Sequence, residues 1–88
     1  MSTLEAMNLL VETVDGGSFP AAGRELGLAP SSVARGIATL EDDLDIRLLN
    51  RTTRKLSLTE AGRLYLEYAR RILAEVGGGQ TLDNPARS

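Results

Sequence analysis

Apolar residues return along this chain at helical spacing in four stretches, and at strand spacing in the short interval before the last of them. Over residues 3 to 15, Leu4, Met7, Leu10, Val11 and Val14 keep the rhythm of an amphipathic helix, and Gly16-Gly17 stops it. This opening helix is expected to lie across the next two and to serve structure alone. From Ser18 to Leu44 the pattern predicts two helices joined by a tight turn. Ser18 is the N-cap candidate, and Pro20 falls in the first turn, where a missing N–H does no harm. Phe19, Ala22 and Leu26 then recur at helical spacing, and Gly27 ends the helix because glycine takes the left-handed conformation without a Cβ clash. Past Leu28-Ala29, Pro30 opens a helix whose Val33, Ile37, Leu40 and Leu44 make one buried stripe. Small Ala21, Ala22 and Gly23 let the two helices cross closely.

Helix, glycine turn and helix at this spacing form a helix-turn-helix pattern, whose second helix can enter a DNA major groove. After Leu44 the period shortens. Leu48-Leu49 and Leu56-Ser-Leu58 read as two short strands, with the basic, turn-prone Asn50-Arg-Thr-Thr-Arg-Lys55 between them. Such a loop is either a solvated turn or a wing whose arginines and Lys55 reach phosphates or the minor groove. Its place directly after a helix-turn-helix favours the wing.

Thr59 is a plausible N-cap, with Glu60 near the positive end of the helix dipole. Ala61, Leu64, Tyr65, Tyr68, Ala69, Ile72, Leu73 and Val76 carry the last helix to Gly77, an apolar stripe wider than one core face needs. Ala61, Tyr65, Tyr68 and Ile72 fit against the domain, which leaves Leu64, Leu73 and Val76 for a partner helix or for solvent. Gly77-Gly-Gly79 is expected to end this helix, and Gln80 to Ser88 to be a flexible tail or linker stub. The expected division is 1–58 for a winged domain, 59–76 for a linker helix and 77–88 for the tail.

Composition narrows the chemistry. Eighty-eight residues suit one small, mainly α domain, and the absence of cysteine and histidine removes disulfides, thiolate metal sites and the commonest general base. No glycine-rich phosphate loop follows a strand, so no catalytic residue, metal or cofactor is expected. Neither a membrane-length apolar run nor a secretory pattern is present, and a cytoplasmic protein is the expectation. The net charge of −2 runs against a nucleic-acid partner. Its distribution runs the other way: Arg47 to Leu58 holds four basic residues and no acid, while acids gather at Glu41-Asp42-Asp43, at Asp45 and at Glu5, Glu12 and Asp15.

The order and spacing of Gly17-Ser-Phe19, Ala21-Ala22, Leu26-Gly27, Pro30-Ser31, Val33, Arg35, Ile37, Leu40-Glu41, Leu44, Arg47-Leu48, Asn50-Arg-Thr-Thr-Arg54 and Leu58-Thr-Glu-Ala-Gly62 resemble the N-terminal domain of LysR-type transcriptional regulators. The resemblance covers residues 2 to 76. It implies a winged helix-turn-helix with a three-helix core, Pro30 to Leu44 as recognition helix, Asn50 to Leu56 as a short hairpin wing, and a C-terminal linker helix from Thr59. It also implies a homodimer through that helix, using Leu64, Leu73 and Val76, on double-stranded DNA with an interrupted palindrome. Pro30, Ser31, Ser32 and Arg35 match positions from which the family reaches DNA, and Arg51 and Arg54 match wing arginines that meet the backbone. Helical spacing adds Thr39 on the open side of the helix, and the basic loop adds Lys55. Ser31 and Ser32 are equally candidates to cap a helix whose Ala29 is a poor cap.

Several positions depart from the family pattern. Relatives often carry Ser at Ala29 and Gln at Pro30, Ser at Ala34, Gln at Gly36, and Gly at Asp45. The family's effector-binding domain has no counterpart in this sequence, so a small-molecule effector is expected only through that absent part, and the chain to be an excised domain or a short relative. These departures and the acidic balance keep a second function open: a winged-helix interaction module that pairs with relatives through its last helix and binds DNA poorly.

Overall fold

In a computed structural model of the protein, which describes residues 2–51 and 56–82 (77–82 by their backbone alone), the chain is mainly helical. The order is α1 (Thr3–Gly16), α2 (Phe19–Leu26), α3 (Pro30–Leu44), β1 (Leu49–Asn50), β2 (Ser57–Leu58) and α4 (Glu60–Leu82). The two strands pair antiparallel, with Leu49 opposite Leu58 and Asn50 opposite Ser57. Three helices, a minimal hairpin and a final long helix are the winged helix-turn-helix that the sequence pattern predicts.

Local chemistry sets the boundaries. Ser2 and Glu5 close a reciprocal capping box on α1, with Glu5 N–H donating to Ser2 Oγ at 3.1 Å and Ser2 N–H donating to Glu5 Oε1 at 2.8 Å. Ser18 Oγ accepts from Ala21 N–H at 3.1 Å, and Gly27 ends α2 with φ of 73°. The helix-turn-helix turn has room only for glycine at Gly23, where a Cβ would meet Leu28 O at 2.4 Å. Thr59 caps α4: its hydroxyl accepts from Gly62 N–H at 2.9 Å and donates to Arg47 O at 2.6 Å. A Cβ on Gly62 would sit 2.0 Å from Leu48 O, so the cap and the hairpin root interlock only with glycine there.

The core gathers Leu9, Leu10, Val33, Ile37, Leu40, Leu48 and Leu49 between α1, the helix pair and the hairpin. α1 packs against α2, α3 and α4. Its buried face is Ala6, Met7, Leu9, Leu10 and Thr13, turned from the predicted stripe: Leu4 is exposed and Val11 and Val14 are half-buried. Thr13, a polar position, is fully buried, and its hydroxyl has no hydrogen-bond partner among the described residues. Leu44, predicted to close the α3 stripe, is exposed at the last residue of the helix. Glu41 is buried in its stead.

α4 also departs from its predicted face. Gly62, Leu66 and Ala69 are buried, and Tyr68, expected against the domain, is 47% exposed. The close approach of Gly62 to Leu48 sets the rotation of the helix, which puts residues three, four and seven positions on against the core. An exposed bidentate pair, Arg70 to Asp15 at 2.6 and 3.2 Å, ties α4 to α1 and holds the Asp15 carboxyl below its ordinary range. The predicted stop at Gly77 does not occur, since α4 continues to Leu82. Glycine keeps its N–H and so continues the ladder at a cost of about 1 kcal/mol each; it stops a helix when it turns left-handed, as Gly17 and Gly27 do.

Candidate nucleic-acid interface

α3 begins at Pro30 without a side-chain cap, because its N-cap is Ala29. Ser31 and Ser32 therefore follow the cap rather than make it. Ser31, Arg35, Ala38 and Asp42, at spacings of four, three and four, form one exposed line down the helix, opposite buried Val33, Ile37 and Leu40. Pro30 and Thr39 are exposed beside that line, and Ser32 is half-buried. Thr39 spends its hydroxyl proton on Arg35 O at 3.0 Å and keeps its acceptor lone pairs. Gly36 is buried, so this departure lies under the surface rather than on the exposed line. The structure thus brings Ser31, Arg35 and Thr39 to one open side, while Pro30 is exposed at the helix start, half a turn round from Thr39.

Arg51, another predicted DNA contact, directly follows β1 at the root of the hairpin. Arg51 is not a free cation: its Nη1 donates to Glu41 Oε1 at 2.9 Å. Arg47 lies 3.5 Å from the same oxygen. Glu41 Oε2 accepts from Leu48 N–H at 2.8 Å and Leu49 N–H at 3.0 Å. Burial pushes this carboxyl up, but the Leu49 N–H, Arg51 and the Leu48 N–H outweigh it and hold Glu41 below its ordinary value. Arg54 and Lys55 lie outside the described residues.

What sequence reasoning passed over is the pairing of Glu41 with Arg47, Arg51 and the hairpin backbone. Glu41 was grouped with its acidic neighbours, although it stands four residues after Ile37, at the edge of the buried stripe. Asp42, Asp43 and Asp45 stay exposed. A shallow depression of about 350 Å³ at this end of α3 is lined by Ala38, Glu41, Asp42, Asp45, Ile46 and Arg47. Asp45 ends α3 in the left-handed conformation, φ 58°, a place suited to the glycine of the family pattern.

On α4, Leu64 (55% exposed), Tyr68 and Val76 (41% exposed) leave an apolar strip uncovered, and Leu73 is half-buried in phase with Leu66 and Ala69. No helix among the described residues is long and apolar enough to cross a membrane.

The pattern of the bacterial regulatory helix-turn-helix proteins of the lysR family matches residues 4–63. The chain is 46% identical over 76 residues to the HTH-type transcriptional activator AaeR of Escherichia coli (strain K12), which covers 86% of this chain and 25% of that protein. It is 46% identical over 77 residues to the HTH-type transcriptional regulator CrgA of Neisseria meningitidis serogroup B (strain ATCC BAA-335 / MC58), covering 88% and 26%. It thus spans about a quarter of the length of these curated relatives. Among solved structures, the BenM_DBD in complex with benA site 1 DNA superposes with a TM-score of 0.86 at 29% identity, covering 99% of this chain and 98% of that one. The CbnR_DBD–DNA complex gives 0.82 at 30% identity, covering 99% and 100%. By sequence pattern, identity and fold together, this chain belongs to the lysR family of bacterial regulatory helix-turn-helix proteins.

Proposed function

We propose that this chain is the sequence-specific, double-stranded DNA-binding domain of a cytoplasmic transcription regulator. The observation that carries this reading is the exposed line through Ser31 and Arg35 on α3, flanked by an arginine-bearing hairpin, in a fold similar to domains solved with DNA. Pro30, Ser31, Ser32, Arg35 and Thr39 face base edges, and Arg35 has the fork geometry that reads guanine or clamps a phosphate. Arg51, Arg54 and Lys55 meet the backbone. The apolar strip of α4, with Leu64 and Val76 at its centre and Leu73 at its margin, packs on a second copy. Two-fold symmetry then sets an interrupted palindrome as the target.

Two measurements test this together: anisotropy of a labelled mixed-sequence duplex at about 50 and 200 mM salt, and sedimentation of the free protein. The expected results are a dimer and an affinity that falls steeply with salt. A dimer that binds no duplex at the lower salt would replace this reading with that of a pairing module.

A further inference from the structure

The geometry points to Glu41 as a positioning residue for DNA binding: one carboxylate oxygen closes the root of the wing, and the other aims the Arg51 guanidinium at the phosphate backbone. The inference rests on the DNA-binding reading above and adds to it a residue that cannot itself touch DNA. Glu41 is 5% exposed, and its charge is of the wrong sign for a polyanion.

The two oxygens are divided between two tasks. Oε2 receives the N–H groups of Leu48 and Leu49, which turns the chain from α3 into β1. Oε1 receives Arg51 at 2.9 Å, with Arg47 further off at 3.5 Å. A guanidinium has five N–H donors in a rigid fork, so one edge can rest on Glu41 while another faces outward. The Arg51 side chain is 32% exposed, consistent with a partly held group that keeps an open edge, whereas Arg47 at 66% is largely in solvent. Holding the arginine before DNA arrives removes the ordering of a long side chain from the binding step.

Electrostatics alone and positioning predict opposite signs. Removing a negative charge near DNA should tighten binding; removing the rest on which Arg51 is aimed should weaken it. Exposed Asp42, which makes no salt bridge among the described residues, supplies the electrostatic control.

Glu41→Gln separates the two oxygens, since its amide oxygen still accepts from Leu48 and Leu49 while its NH₂ cannot accept from Arg51. Binding to one duplex is measured across salt for the wild type, Glu41→Gln, Arg51→Ala, the double variant and Asp42→Asn, each shown folded by circular dichroism. Glu41→Gln is expected to weaken binding about 3- to 10-fold and to reduce the salt slope by about 0.9, the value for one phosphate contact. It should cost nothing further in the Arg51→Ala background, while Asp42→Asn tightens binding. Equal or tighter binding by Glu41→Gln, or losses that multiply in the double variant, overturns the inference and leaves the DNA-binding reading intact. A wild type that binds no duplex overturns both. Arg51→Lys gives a second route that does not touch the buried carboxylate: a lysine keeps the charge and three N–H donors but lacks the rigid planar fork whose two edges face different partners. It should lose binding to about the same extent, and wild-type affinity in that variant would also refute the role of Glu41.

Discussion

From Pro30 to Ala38, α3 shows solvent two hydroxyls and an arginine; from Thr39 to Leu44 it shows Asp42 and Asp43, with Asp45 just beyond. One helix thus carries opposite chemistry at its two ends. The helix dipole adds to the contrast, because its N-terminus is the positive end, and acids at the C-terminus reinforce the negative one. A polyanion is drawn to the first half and repelled by the second. Within the second half, Glu41 breaks the pattern by turning inward. There it meets two backbone N–H groups and two arginines, and its charge works through them rather than on the solvent. The contrast teaches that the sign of a side chain does not fix its effect on a partner; its contacts do.

The largest break in this comparison comes from Glu41→Ala, which leaves two buried N–H groups unpaired at the hairpin root. A loss of about 2–4 kcal/mol in unfolding free energy is expected, read by denaturant titration. The same carboxylate makes the fold acid-sensitive. Its folded-state value lies below the ordinary 4.5, so its contribution is complete above that pH and disappears as pH falls through the lowered value. A thermal-stability profile from pH 6 downward should be flatter for Glu41→Gln than for the wild type.

Next in size is Arg35→Ala, the centre of the favourable half. It should weaken binding to a selected site by about 1–3 kcal/mol and relax the base preference opposite it. Asp45→Gly acts at the unfavourable end: it relieves a left-handed aspartate and removes an anion from a helix C-terminus, for a gain of about 1 kcal/mol seen as a raised Tm. Asp42→Asn should produce the smallest change, a tightening of a few tenths of a kcal/mol that fades as salt is added.

Much of this was legible where the cause is local. Ser18 and Gly27 bracket α2 through bonds within the helix itself, and the Thr59 hydroxyl caps α4 by accepting from the N–H of Gly62, three residues on. The line through Ser31 and Arg35 follows from helical spacing once Val33, Ile37 and Leu40 are taken as core. What escaped depends on contacts far along the chain. Glu41 acquires its role from residues seven, eight and ten positions away, which no local pattern displays. The rotation of α4 is set by Gly62 against Leu48, so Leu66 went in and Tyr68 came out. Thr13 is fully buried on the inner face of α1 although its hydroxyl finds no partner among the described residues. The glycine run of α4 misled because composition reports what glycine permits, whereas the helix depends on the conformation it takes.

The most direct test of α3 as the reading element is selection of bound sequences from a random duplex pool, with wild type and Arg35→Ala run side by side. The account predicts that the wild type enriches an interrupted palindrome, and that Arg35→Ala keeps its spacing while losing the preference at the base pairs that Arg35 meets. A wild type that binds the pool yet enriches no sequence would contradict it.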